Sequence, residues 1–369
     1  MRTKPPRFRP LSFIAIPALA LALAGCQPSP DGGADGRSEV LRAIPGEAEL
    51  VVYFDQEAIS DSTFVETVES MQEDMPESQT TTEMGDRLTE ITGLEDEDIT
   101  QFAMAVSGLE SFDTDPTLAK ISGALFAVKP VSAEQVVEAI EYMASQNDET
   151  VELKLTVGEG ADYIEFPKEE DAPEMYAAIV TGDSSTTAFF GDRDSVEAAL
   201  ARDSGSVPEK LKAPSEGLVE GQQGWVSFIL PQSFKDQLPG LVAQGEQMAP
   251  GVSKISSLQS VGVGVRAEDA MRIAIGMNLG SPEDAETITG VLNNQLISFA
   301  KMMLAGNSPE PLPLLESLAA SQSGDRSVLS LSITPKDIEL LQAQLLNLIP
   351  AAMGQGAGSA VPPAPPSAN

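Results

Sequence analysis

Residues 260–280 read SVGVGVRAEDAMRIAIGMNLG and decide the fold class of this chain. Before the AED turn, valine alternates with serine or glycine at Val261, Val263 and Val265. After the turn, every second residue is again apolar: Met271, Ile273, Ile275, Met277 and Leu279. Alternation with a period of two is typical of a strand that buries one face. The stretch therefore predicts an antiparallel β-hairpin with one face on a core.

The same hairpin carries Gly262 and Gly264, which leave part of one face without side chains. Glycine in a strand marks a place where another backbone or a ligand approaches closely. Two explanations stay open at this point. Either a helix packs closely against the hairpin, or a bound partner reaches it.

Outward from the hairpin, the chain reads as two similar halves. Each half runs strand, helix, strand, strand, helix, strand or strands, helix. In the second half these segments are GWVSFILP (224–231), the hairpin, an apolar helical stripe over 285–303, SVLSLSIT (327–334) and PKDIELLQAQLLNL (335–348). In the first half they include LVVYF (50–54), QFAMAVSG (101–108), SGALFAVK (122–129), VSAEQVVEAIEYMA (131–144) and DRDSVEAALA (192–201).

This order predicts an α+β fold of two tandem split-βαβ, ferredoxin-like units, each an antiparallel sheet with helices on one face. Ser132, Ser281 and Thr334 each precede a helical stretch with an acidic or amide side chain three residues on, which predicts reciprocal helix caps. The predicted boundaries are 39–203 for the first unit, 204–223 for a linker, 224–350 for the second unit and 351–369 for a disordered tail rich in Pro, Ala and Gly.

The N-terminus predicts a secretory signal peptide over residues 1–25. Four basic residues precede an apolar run from Leu11 to Leu23, and small residues follow it. With Pro17 inside it, the run is too short for a good transmembrane helix. A membrane anchor or a buried helix is the alternative interpretation.

Leu23-Ala24-Gly25-Cys26 resembles the lipobox of bacterial lipoprotein precursors, and Cys26 is the chain's single cysteine. The resemblance implies that the Cys26 thiol receives a diacylglyceryl group and that cleavage occurs between Gly25 and Cys26. The lipid bilayer is then a partner. Gln27, in place of an aspartate, implies the outer membrane as the destination, with the protein facing the periplasm or the surface. Residues 26–38 are polar turn formers and predict a disordered tether about 20 Å long.

The body is similar to uncharacterised envelope lipoprotein families with a two-part α+β architecture. The residues that carry this resemblance are the segment ending in LVVYFD, GLEDED (93–98) and FFGDRDSVEAAL (189–200). The resemblance implies the architecture and supplies no active site.

Composition excludes several functions. The net charge is −34 and becomes −38 without residues 1–25, which disfavours nucleic acid and anionic lipid as partners. The chain has no histidine, so histidine-based catalysis and histidine zinc ligation are excluded. One cysteine allows no internal disulfide.

Four short motifs resemble chemical sites, but their spacing favours a structural role. Ser298 and Lys301 have the S-x-x-K spacing of serine–lysine acyl enzymes, but S-D-N and K-T-G are absent. The acids of residues 95–98 lack the spacing of a calcium loop, and the acids of 112–117 and 191–194 are typical of a turn and a helix cap. We therefore predict no catalytic residue, no metal site and no cofactor.

Three functions remain as hypotheses. The first is a non-enzymatic binding or scaffolding module with an envelope protein or polymer as partner. The second is a carrier for an apolar molecule such as a lipid, because flexible methionines can line an adaptable pocket. Those methionines are Met271, Met277, Met302 and Met303. The third is a histidine-independent hydrolase that uses paired carboxylates.

Overall fold

A computed structural model describes residues 35–72, 79–111, 118–146, 150–168, 174–243, 246, 249–299, 301–302 and 313–341. The predicted signal peptide with Gly25 and Cys26, the motif at 112–117, Met303 and the predicted tail lie outside these residues.

The described strands form one sheet of twelve, and every pair of neighbours is antiparallel. The strand order is β11-β12-β10-β9-β8-β1-β2-β3-β7-β6-β5-β4. The predicted hairpin is confirmed as β9 and β10, in which Ala267 lies opposite Met271. The strands are β1 Leu50–Asp55, β2 Ile99–Ser107, β3 Lys120–Ala127, β4 Lys154–Thr156, β5 Asp162–Glu165, β6 Tyr176–Thr181, β7 Thr186–Gly191, β8 Gly224–Ile229, β9 Ser260–Ala267, β10 Met271–Asn278, β11 Ala319–Ser323 and β12 Arg326–Ile333.

Helices precede, connect and follow these strands. The α-helices are α1 Asp35–Val40, α2 Gln56–Ser60, α3 Thr63–Gln72, α4 Gln79–Thr92, α5 Ala133–Ser145, α6 Arg193–Leu200, α7 Glu209–Lys212, α8 Gln232–Ala243, α9 Pro282–Val291 and α10 Pro313–Ser317. A π-helix, Leu292–Ile297, continues α9, and residues 335–341 are helical. The hydroxyls of Ser132, Ser281 and Thr334 each accept a hydrogen bond from the backbone N–H three residues on, as predicted. The return bond that makes the cap reciprocal is present at Ser132 and Thr334.

The mixed α and β content and the antiparallel pairing agree with the prediction, but the split-βαβ plan is not confirmed. That plan joins parallel strands through helices and leaves room for a strand between them. Here β1 and β2 are connected through helices, yet they are direct antiparallel neighbours. The single twelve-stranded sheet is thus a different arrangement from two ferredoxin-like sheets.

Helices also pack on both faces of the sheet, whereas the prediction placed them on one. One face, which we call the linker face, carries Tyr53 and Trp225 and packs against α1, α6 and α7 through buried Val40, Val196 and Leu211. The opposite face packs against α5 in the first half and against α8 and α9 in the second. The apolar run LVVYF fits this result, because strands buried on both faces are apolar at consecutive positions.

The predicted linker packs on the linker face and explains the hairpin glycines. A Cβ at Gly262 would lie 1.9 Å from the carbonyl oxygen of Pro214. A Cβ at Gly264 or Gly276 would approach the Leu218 side chain to 3.2 Å and 2.7 Å. The close approach is therefore made by the chain's own residues 214–218 rather than by a long helix or a bound partner.

Two arginines hold this segment through its backbone. Arg326 donates from its guanidinium to the carbonyl oxygens of Glu216, at 2.9 Å, and of Ala213. Arg266 donates to the carbonyl oxygen of Glu220 at 2.6 Å. These charge-assisted hydrogen bonds are stronger than bonds between neutral groups, so they fix the segment on the sheet.

The two halves meet at the ladder between β1 and β8. Val52 lies opposite Val226, and Tyr53 lies opposite Trp225 with the two rings stacked 5.8 Å apart. Tyr53 and Trp225 are both almost fully buried. Because the two strands come from different halves, this ladder makes the two halves one sheet.

The ladder predicts that Trp225→Ala destabilises the whole domain. Removing a buried tryptophan side chain costs about 3–5 kcal/mol in the free energy of unfolding. Urea denaturation followed by circular dichroism should give one transition, moved to lower urea. Val157→Ala is the control, because Val157 is 73% exposed and surface substitutions change stability by about 0.5 kcal/mol or less. Two separate transitions, with only one affected by Trp225→Ala, would contradict the single-sheet structure.

Candidate functional site

The sheet face opposite the linker face carries a continuous row of apolar side chains across both halves. Each member lies directly opposite the next across a strand pair, from β2 through β1, β8, β9 and β10 to β12. The row consists of Met104, Val52, Val226, Val263, Ile275 and Leu329, and all six are half-buried. Side chains on one face of a sheet contact their cross-strand neighbours, so these six form one surface.

Two further rows flank the first on the same face. One consists of Phe102, Phe54, Gly224, Val265, Ile273 and Leu331. The other consists of Val106, Leu50, Phe228, Val261, Met277 and Ser327. We call the surface made by the three rows the apolar face. Its first two rows contain no side chain that forms hydrogen bonds.

The dimensions of the apolar face follow from sheet geometry. Six strands spaced by about 4.8 Å make each row about 24 Å long. Residues that share a face along one strand are about 6.7 Å apart, so three rows span about 13 Å. Part of this footprint is covered, because Phe102 packs against the cluster formed with α5, and Phe228, Val261 and Met277 pack against the cluster formed with α8 and α9.

Packed elements flank the apolar face. On the first-half side, Gly123 leaves space for the ring of Phe190, which stacks on Phe102 with ring centroids 6.5 Å apart. On the second-half side, Phe228 and Val261 pack against the cluster formed with α8 and α9. Within the described residues, the central valines of the first row belong to no buried core cluster. These central valines are half-buried, so each keeps part of its surface exposed.

A second feature is an acidic cleft of about 520 Å³ where the two halves meet at the strand ends. It is lined by Asp61, Gln223, Glu268 and Asp269 among others. Burial, followed by the charge of Glu66, raises the pKa of Asp61. The Glu268 carboxylate contacts the guanidinium groups of two arginines, so its charge is neutralised locally.

The cleft offers no metal centre. Within the described parts of the chain, no three Asp, Glu, His or Cys side chains lie close enough to hold one ion. Gln223 is structural, because its side chain donates to the carbonyl oxygen of Ala58 at 2.6 Å and accepts from the backbone N–H of Ala267 at 2.7 Å.

The buried polar groups near β1 are also structural. Asp55 caps α2 by accepting from the backbone N–H of Ala58 at 3.1 Å. Burial raises the pKa of Asp55, and burial together with the Asp55 charge raises the pKa of Tyr53. The guanidinium of Arg37 lies 5.2 Å from the centre of the Tyr53 ring. These groups lie on the linker face under α1.

The acidic motifs are used within the fold. In GLEDED, Glu95 and Asp98 form a reciprocal cap of a 3₁₀-helix, and Asp98 is buried against the Lys129 ammonium at 2.8 Å. Asp192 caps α6 by accepting from the backbone N–H of Ser195 at 2.8 Å. The motif at 112–117 is outside the described residues.

The Ser298 hydroxyl donates to the carbonyl oxygen of Asn293 at 2.9 Å, although S-x-x-K spacing would pair it with Lys301. Of the candidate methionines, Met277 packs beside α9 and Met271 is half-buried on β10. Met302 is exposed on a different surface. The motifs do not converge on one site.

The apolar face was not predicted as a site, although the sequence contains a signal for it. The segments LVVYF, FAMAV and WVSFI are apolar at nearly every position. Runs of this kind indicate strands whose two faces are both apolar. The sequence does not reveal that these runs become neighbours.

Comparison with protein-family profiles, with curated proteins and with solved structures finds no match to this chain. Among the described residues, no helix combines the length and the apolar character needed to cross a bilayer.

Proposed function

We propose that this protein is a lipid-anchored, non-enzymatic binding module of the bacterial cell envelope, and that it holds an apolar ligand on the apolar face. The observation that carries the proposal is the first row, six half-buried apolar side chains in register across both halves. An apolar surface of this extent in an otherwise acidic protein favours a binding role.

The chemistry of the rows favours an acyl chain over a protein partner. Protein interfaces carry about one hydrogen bond per 100–200 Å² and are enriched in aromatic residues, Met and Arg. The first two rows of the apolar face contain Phe54, Phe102 and Met104, but none of their side chains is a hydrogen-bonding group of the kind such interfaces use. An acyl chain needs no hydrogen bonds, and each buried methylene contributes about 0.8 kcal/mol. A scaffolding role through a protein partner is the alternative.

The anchor is proposed from the lipobox. Acylated Cys26 would attach the protein to the outer membrane, with cleavage after Gly25. Of residues 26–38, which the sequence predicts as a disordered tether, residues 35–38 are helical instead, because they belong to α1, which packs on the linker face through Val40.

The non-enzymatic part of the proposal is supported by residue chemistry. The chain lacks histidine, and three acids of the candidate motifs, Glu95, Asp98 and Asp192, serve as caps or ion-pair partners. We further propose that residues 39–203 and 224–350 are tandem units. The order β1-β2-β3-β7-β6 in the first half corresponds to β8-β9-β10-β12-β11 in the second.

The anchor predicts that Cys26→Ser abolishes both processing and retention. Serine has no thiol to accept the diacylglyceryl group, so the chain should remain uncleaved or leave the outer-membrane fraction. Immunoblots of fractionated cells measure both effects. Gln27→Ala is the matched control and should be processed as the wild type is. Normal cleavage and fractionation of Cys26→Ser would contradict the anchor.

The ligand is tested by photo-crosslinking in cells. Cells that express the full chain are grown with a photoreactive fatty acid, irradiated, and the adducts are mapped by peptide mass spectrometry. We expect light-dependent adducts on peptides that contain β8 and β9. Val263→Lys places a charge in the middle of the first row and should remove most of these adducts, because burying an unpaired charge is unfavourable.

The control for this experiment is Val157→Lys, which adds the same charge at a site that is 73% exposed. It should leave the adducts on β8 and β9 unchanged. The peptide that carries the covalent lipid on Cys26 is distinct from the β8 and β9 peptides, so it reports on the anchor independently. Adducts confined to the Cys26 peptide would contradict ligand binding on the apolar face.

A further inference from the structure

Large apolar side chains are exposed on the helical segment that follows α9. Leu296, Phe299 and Met302 are 53%, 57% and 64% exposed. They are three residues apart among the described helical residues that follow α9, 292–299 and 301–302, and helical side chains at this spacing are neighbours. We call them the apolar stripe.

The other side of this segment is packed against the domain, so the orientation of the stripe is fixed. Ile297 is buried. The Asn293 side chain donates to the carbonyl oxygen of Ala320 at 2.8 Å and accepts from the backbone N–H of Ala320 at 3.0 Å. This pair of bonds holds the segment on β11.

The charge around the stripe differs from that of the whole protein. Residues 287–308 contain no Asp or Glu and include Lys301, whereas the whole chain has a net charge of −34. Two acids of nearby elements are engaged internally. Asp284 lies 2.8 Å from the Lys254 ammonium, and Glu246 accepts from the backbone N–H groups of Gly251 and Ser253.

We propose that the apolar stripe lies in the surface of a lipid bilayer, a proposal that rests on the lipid anchor described above. Leucine, phenylalanine and methionine on one side of a helix, with lysine beside them and no acid, fit the interface between head groups and acyl chains. A second copy is a poorer occupant, because two mature chains, each of net charge −38, repel each other.

The position of the stripe connects this contact to ligand binding. The first row of the apolar face ends at Leu329, which lies opposite Ala320 on β11. Ala320 is also the residue that Asn293 holds. The segment with the stripe is thus attached next to the end of the first row. A bilayer on the stripe would bring its acyl chains near the apolar face.

The test uses the single cysteine of the chain. In the mature lipoprotein the Cys26 thiol is acylated, so an introduced cysteine is the only free thiol. Phe299→Cys is labelled with a polarity-sensitive nitrobenzoxadiazole fluorophore, and the lipoprotein is reconstituted on phosphatidylcholine vesicles. We expect a blue-shifted emission several-fold brighter than without vesicles, and quenching by lipids that carry a spin label in their acyl chains.

Val157→Cys, labelled in the same way, is the control and should show neither change. Equal fluorescence of the Phe299→Cys label with and without vesicles, on protein that floats with them, would overturn the stripe proposal and leave the anchor standing. If the blue shift disappears when the protein is diluted at constant lipid concentration, a second copy covers the stripe, and the proposal of a bilayer contact is overturned. If the lipoprotein does not float with the vesicles, the anchor and the stripe proposal are both overturned. Ligand binding on the apolar face is tested separately, by the photo-crosslinked adducts on β8 and β9.

Discussion

The structure depends on the pairing of β1 with β8. Without it, each half would end in a strand with unpaired backbone N–H and C=O groups, which is a template for aggregation. The pairing satisfies these groups and places Tyr53 on Trp225 in the core of the linker face. It also creates the apolar face, because its three rows cross β1 and β8 and neither half has them complete.

The segment between the halves gives the sheet two different faces. Residues 213–220 are fixed on the linker face by Arg266 and Arg326, and the small residues Gly262, Gly264 and Gly276 leave space for them. On the opposite side of the same strands lie Val263 and Ile275. The alternation of glycine and valine in β9 thus leaves one face for residues 213–220 of the chain itself and places the valines on the apolar face.

Local features were predictable from the sequence. The period-two pattern of 260–280 located the hairpin, and the caps at Ser132 and Ser281 located two helices, because both depend on neighbouring residues. The strand order was not predictable, because a side-chain period tells which face a residue occupies and not which strand lies beside it. The apolar run LVVYF indicated a strand with two apolar faces. The pairing of this strand with GWVSFI was not predictable, because it joins segments far apart in sequence. Glu95, Asp98 and Asp192, which belong to the acidic motifs, are used in capping and ion pairing, and these roles depend on partners close in sequence or on Lys129.

The most direct test of the account is a disulfide across the central ladder. Val52→Cys and Val226→Cys are combined in a chain that also carries Cys26→Ser. Directly opposed residues have Cα atoms about 4.5–5.5 Å apart, within the range of disulfides. Under mild oxidation the account predicts an intrachain disulfide, identified by mass spectrometry, whereas the pair Val52→Cys and Val157→Cys stays reduced. Two free thiols at positions 52 and 226 in the folded protein would contradict the pairing of β1 with β8 and the apolar face with it.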